Sequence, residues 1–156
     1  FGDRYVNTPA VVGAAKGAGL APTPAGLAGT LLGVQVSTIH QDYAQTHFAG
    51  SAAEIKLYQT QDEANQDLVA GRIDATQADS IALDAFLATE AGAACCEAVG
   101  AVADDPAILG AGVGVGLRQG EDALKAKFNA GIAKIIADGT YQTISAPYFA
   151  SSIYGG

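Results

Sequence analysis

Gln59-Thr60-Gln61-Asp62-Glu63-Ala64-Asn65-Gln66-Asp67-Leu68-Val69-Ala70-Gly71-Arg72-Ile73-Asp74-Ala75-Thr76-Gln77-Ala78-Asp79-Ser80 reads as a helix, a glycine stop, a short buried strand and an acid opening the next helix. Thr60 or Asp62 suits the N-cap, and Ala64, Leu68 and Val69 supply one apolar face. Gly71 ends the helix, and residues 73–76 form the expected strand. Asp79 then falls at the carboxyl end of a strand, where open α/β sheets bind their ligands. An acid in that position can receive a cation.

The same grammar continues outward. Residues 10–15 are a short apolar strand, and Pro22-Thr23-Pro24 is a turn that opens a short helix toward Leu27. Residues 31–36 form a nearly continuous apolar strand, as expected where both faces are covered. Ser37 or Thr38 caps a helix running to about Phe48, and residues 54–58 are the next strand. After Asp79 a helix continues to about Thr89, with Ile81, Leu83, Phe86 and Leu87 facing inward. Strands alternating with helices predict an α/β sheet with crossover helices.

Beyond residue 90 the texture changes. Residues 90–96 read as a small-residue loop, 97–102 as a weak strand and Asp104-Asp105-Pro106 as a turn. Gly110-Ala111-Gly112-Val113-Gly114-Val115-Gly116-Leu117 alternates glycine with apolar residues, which fits close backbone approach. A long helix is expected over 121–137, with Leu124, Phe128, Ile132, Ile135 and Ile136 on one face, then a short one over 140–149 interrupted at Pro147. The expected organisation is a lobe over 8–112 flanked by pieces, 1–7 and 113–156, that belong to another lobe. The apolar face of the long helix then has no sheet of its own. It is expected to be exposed, to pair with another chain or to pack on further residues.

Composition excludes several classes. With 156 residues, 49% hydrophobic and 15% charged, the chain is globular in character, and its apolar runs break well before membrane-spanning length. A net charge of −8 argues against nucleic-acid or anionic-membrane partners, because no basic patch can displace counterions. The sequence begins at Phe1 and has no methionine, so it reads as a fragment or processed product, its signal peptide removed. Cys95 and Cys96 are adjacent. A disulfide between neighbours must close a very small ring, so a buried cysteine with a half-exposed neighbour is the expected arrangement. No metal spacing, GxSxG, phosphate loop or HExxH occurs, and Asp74 and Asp79 lie on different elements with no positioned nucleophile.

Phe1-Gly2-Asp3-Arg4-Tyr5-Val6, Gly29-Thr30-Leu31-Leu32-Gly33-Val34-Gln35-Val36-Ser37-Thr38-Ile39-His40, the opening stretch itself, Ala137-Asp138-Gly139-Thr140-Tyr141, Tyr148-Phe149 and Ile153-Tyr154-Gly155-Gly156 form one set. Together they resemble the polar amino-acid-binding proteins of bacterial ABC transporters (type II periplasmic solute-binding proteins, extracellular family 3). The resemblance implies lobe 2 of the two-lobed fold plus the C-terminal part of lobe 1, in an N-terminally truncated piece. The rest of lobe 1 carries the family's carboxylate-gripping arginine.

The resemblance also assigns roles. Thr38 matches the hydroxyl that meets the amino acid's carboxylate, and Ile39 the next backbone N–H, although the family more often has Thr or Ser there. Asp79 matches the acid that pairs with the α-ammonium. Gln35, at the strand end, and His40, in the first helical turn, are candidates for the ligand's side chain, and Gln77 faces the cleft floor or a hydrogen-bonding neighbour. His40 and His47 are too far apart for a helical metal pair. The implied function is capture of a free amino acid between closing lobes in the periplasm. Delivery then goes to the membrane permease subunits, with no cofactor, no metal and no membrane insertion. The alternatives are a dehydratase-like enzyme on the same fold, acting on a small carboxylate, or a receptor sensory domain.

Overall fold

The computed structural model describes residues 1–149 and 152–154, so the Gly155-Gly156 ending lies outside the described residues. The chain forms two units: Pro9–Gly110, and Phe1–Thr8 together with the chain from Ala111 onward.

The Pro9–Gly110 unit is built on a five-stranded sheet. Numbering elements along the chain, with β1 at Arg4–Val6, its strands are β2 (Ala10–Ala15), β3 (Leu31–Gln35), β4 (Glu54–Tyr58), β5 (Ala75–Asp79) and β6 (Cys96–Ala101). Their order is β4-β3-β5-β2-β6. β3 runs parallel to both β4 and β5, whereas β2 is antiparallel to β5 and β6. The helices are α1 (Ile39–His47), α2 (Gln61–Val69), α3 (Ser80–Leu87), α4 (Glu90–Cys95) and the single turn α5 (Pro106–Leu109).

Both faces of the sheet carry a core, and strand alternation decides which residue serves which. On one face Ala10, Val12, Ala14, Leu32, Val34 and Ala75 pack with Tyr43, Ala44 and Phe48 of α1 and its C-cap. On the other, Tyr58, Ala64, Leu68, Ile73 and Cys96 form a second cluster, joined by Phe86 and Leu87 of α3. Gly13 and Gly33 let that second layer approach closely. A Cβ at Gly13 would stand 2.7 Å from Leu83 Cδ1, and one at Gly33 2.6 Å from Ile73 Cδ1. A side chain at either site forces Leu83 or Ile73 to shift.

Five local expectations are corrected. The strand expected over 73–76 is β5, two residues later. Asp74 closes the corner before it: its N–H donates to Leu31 O at 3.0 Å, and its carboxylate accepts from Leu31 N–H at 2.8 Å. Pairing therefore starts at Ala75 and carries the polar Thr76 and Gln77 into the buried middle. Residues 90–95 are helical rather than a loop, because Thr89 Oγ1 accepts from Gly92 N–H and alanine favours the helix. The helix expected toward Leu27 is instead a series of turns. In them Thr23 Oγ1 accepts from Gly26 N–H at 3.0 Å while Leu27 is fully buried. The turn at 104–106 continues into α5, since Asp105 caps it by accepting from Ala107 N–H. Cys95 and Cys96 are joined in a disulfide across the α4–β6 junction, where the helix ends and the chain becomes extended. Cys96 is buried and Cys95 half-buried, as expected.

In the other unit β1 pairs antiparallel with β7 (Val113–Gly114). α6 (Asp122–Ala137) and α7 (Thr140–Ser145) follow. α7 stops short of the expected 140–149, and Tyr148 N–H and Phe149 N–H both turn back to Ser145 O. Pro147 has no N–H with which to continue the helix. α6 buries none of its residues. Of its apolar face, Leu124 and Phe128 are exposed and Ile132, Ile135 and Ile136 half-buried; Leu124, Phe128, Ile132 and Ile135 line a shallow hollow of about 420 Å³. No helix among the described residues is long and apolar enough to cross a membrane.

Candidate functional site

The site follows from topology. β3 and β5 are adjacent and parallel, with Leu32 opposite Ala75 and Gly33 opposite Thr76, so their carboxyl ends lie side by side. From β3 the chain turns into α1 on the Phe48 face, and from β5 it turns into α3 on the Leu83 face. Neighbouring parallel strands whose helices depart to opposite faces leave a crevice at their carboxyl ends. Gln35 and Asp79 are the last residues of the two strands.

One side of this crevice is the start of α1. Thr38 is its N-cap: Oγ1 accepts from Gln41 N–H at 3.2 Å, and the hydroxyl donates to Gln35 O at 2.8 Å. Ser37, just before it, has φ 58°, a left-handed backbone rare for a non-glycine residue. Its N–H donates to Gln41 Oε1 at 2.7 Å. The N–H groups of Ile39 and His40 belong to the first helical turn, which has no intrahelical acceptors for them. They carry the positive end of the helix dipole, an arrangement suited to a carboxylate. Ile39 is half-exposed, so its backbone rather than its side chain is the polar element here.

The other side is Asp79. Its carboxylate caps α3 by accepting from Ile81 N–H at 2.8 Å. It also acts on His40: burial lowers the imidazole pKa from its ordinary value, and the Asp79 charge pulls it back up. His40 is half-buried rather than a surface residue, and its Nδ1 is buried without a hydrogen-bond partner. Gln35, half-buried, donates from Nε2 to Gln59 O at 3.2 Å, which ties the end of β3 to the residue following β4. Thr38, Ile39, His40, Gln35 and Asp79 thus all belong to the carboxyl ends of β3 and β5. Asp74 lies before the opposite end of β5.

Three features escaped the sequence reading: the left-handed Ser37, the Gln61 link and the His47–Asp105 pair. The left-handed Ser37 had no glycine or asparagine to announce it. Gln61 Nε2 donates to Asn65 Oδ1 at 3.0 Å and Thr76 Oγ1 at 2.9 Å, a link between helix and strand hidden in a polar run. Gln77, expected to face the cleft floor or a hydrogen-bonding neighbour, is wholly buried with neither amide atom bonded. His47 pairs with Asp105 at 2.8 Å, which holds the Asp105 carboxyl below its usual range. No cluster of three or more metal-ligating side chains occurs among the described residues.

A helix N-terminus and an acid at the carboxyl ends of adjacent parallel strands stand where open α/β sheets bind small ligands. Comparison with known proteins makes the class specific: the chain belongs to the bacterial extracellular solute-binding proteins, family 3, whose model matches residues 1–151. It is 40% identical over 156 residues to the L-arginine-binding protein of Pseudomonas aeruginosa, covering 99% of this chain and 60% of that protein. The histidine-binding periplasmic protein of Salmonella typhimurium is 34% identical over 157 residues, covering 100% of this chain and 60% of its own length. A solved periplasmic binding protein of Salmonella typhimurium, described for high arginine specificity, superposes with a TM-score of 0.72 at 28% identity. That match covers 96% of this chain and 64% of the other. The chain therefore spans about 60% of the length of these curated relatives. By name they are solute-binding proteins, not enzymes.

Proposed function

We propose that this chain belongs to the substrate-binding component of an ABC importer that captures a polar amino acid or related compound in the periplasm. The observation that carries the reading is the pairing of opposite electrostatic receptors at one crevice. The N-terminus of α1, with Thr38 and the Ile39 N–H, suits the α-carboxylate, and Asp79 suits the α-ammonium. Gln35 and His40 then border the ligand's side chain. Residues 8–112 act as lobe 2 and the remainder as part of lobe 1. Closure of a second lobe over the ligand makes binding productive, because only a ligand touching both lobes favours the closed state. The closed form is what the permease subunits receive.

Calorimetric titration of the full-length protein with L-arginine, L-histidine, L-lysine and L-glutamine tests this. Binding of at least one α-amino acid is expected, with the decarboxylated amine and the deaminated acid failing to compete. Equal competition by either analogue would contradict the paired receptors.

A further inference from the structure

Three buried polar atoms lack a hydrogen-bond partner among the described residues: Nε2 and Oε1 of Gln77, and Nδ1 of His40. They belong to one layer. Side chains alternate along β5, and Ala75 packs into the core shared with α1. Gln77, two residues on, therefore points to the same face. Asp79, two further on, does so too, and its charge is felt by the His40 imidazole. Thr76 points to the opposite face and is bonded there to Gln61 and Gly33 O. α1 packs on β5, and His40 sits in its first turn. Gln77 thus points to the α1 side of β5, and His40, in the first turn of α1, has its Nδ1 buried.

Buried polar groups are nearly always bonded, to protein or to an enclosed water. A fully buried glutamine between Ala75 and Asp79, on a face otherwise given to Val12, Leu32 and Val34, needs such a partner. We propose that Gln77 is a positioning residue for ligand specificity: its amide is linked to Nδ1 of His40 through a buried water, fixing one imidazole tautomer. The group that His40 Nε2 presents is set by the bond at the other ring nitrogen, donor or acceptor but not both. Gln77, itself inaccessible, thereby decides whether the ligand's side chain must bring an acceptor or a donor. This rests on the amino-acid-receptor reading of the site.

The test uses Gln77→Leu, close in size and free of polar atoms, in the full-length protein. In the unliganded wild type, nitrogen-15 NMR of His40 should show a single neutral tautomer. In Gln77→Leu it should show a changed tautomer ratio with an unchanged fold by circular dichroism. The affinity ratio of L-arginine to L-glutamine should change about fivefold, and this change should vanish when Gln77→Leu is made in a His40→Ala background. Gln77→Asn keeps a neutral amide at the position and serves as the second variant, expected to retain a single tautomer. An unaltered tautomer ratio in Gln77→Leu, or an affinity-ratio change that survives in the His40→Ala background, would overturn the proposal. If the wild type bound no amino acid, the receptor reading would fail, while the NMR arm would still decide the Gln77–His40 link.

Discussion

Two helices of this molecule begin with the same residue and differ in what they leave open. α2 starts at Thr60, whose Oγ1 accepts from Glu63 N–H while the Glu63 carboxylate accepts from Thr60 N–H and Gln59 N–H. Asp62 adds a second acid to that first turn. The donors and the dipole at this end are answered by the chain itself. α1 starts at Thr38, but the residue three places on is neutral Gln41, and its oxygen reaches past the cap to Ser37 N–H. Ile39 and His40 occupy the positions where α2 has Gln61 and Asp62. A helix end closed by its own acids has little left for an anion. The start of α1 is capped by neutral groups and has a single first-turn acid, Asp42, one place further in than Glu63 is in α2, so it keeps more of its positive end for a ligand.

The most damaging change to this contrast is at Asp79. Asp79→Asn preserves an oxygen able to cap α3 but removes the charge that receives an ammonium. Amino-acid affinity should fall about a hundredfold with little loss of thermal stability. A calorimetric constant within a factor of two of wild type would remove Asp79 from the site. Next are the two threonines. Thr38→Ala should cost about 1 kcal/mol of stability and about tenfold in affinity, since the hydroxyl that accepts the cap bond is also the one proposed to turn its proton from Gln35 O to the ligand's carboxylate. Thr60→Ala should cost a similar 1 kcal/mol or so in denaturant unfolding while leaving affinity unchanged. If both variants lose stability and neither loses affinity, the two helix starts are equivalent and the contrast is only a matter of capping.

Much of this was legible from residues alone, and the reason is local. β2 and β4 have the bounds that their apolar runs indicated, and Thr38, Thr60 and Asp79 cap where a side-chain oxygen precedes an apolar period. The errors arose where distant partners decide. The start of β5 depends on Asp74 bonding to Leu31, 43 positions away in sequence. α4 hid in Ala91-Gly92-Ala93-Ala94, whose alanines favour a helix and whose glycine does not, until Thr89 caps it. For Gln77, polar near a strand end, the sequence leaves the cleft floor and a hydrogen-bonding neighbour both open. Its side chain lies on the α1 face, and only tertiary structure shows that this face is buried.

The smallest expected effect concerns the far end of α2 and asks whether that helix is self-satisfied throughout. Asp67 accepts from Tyr58 Oη at 2.6 Å, Arg72 Nε at 2.7 Å and Lys56 Nζ at 3.0 Å. The Tyr58 hydroxyl first, then Arg72 and Lys56, hold its carboxyl well below the ordinary carboxylate range. A depressed folded-state value makes the contribution complete above the unfolded value of about 3.9 and lost as pH falls through the folded one. Wild-type stability should therefore drop on acidification below about pH 4 with a slope that includes up to one proton from this group. Asp67→Asn should flatten that limb by the same amount while amino-acid affinity at pH 7 stays as it was. Identical acid limbs would mean that the three donors find Asp67 equally well in the unfolded chain. A change in affinity would mean that α2, closed at both ends, is nevertheless coupled to the crevice that α1 leaves open.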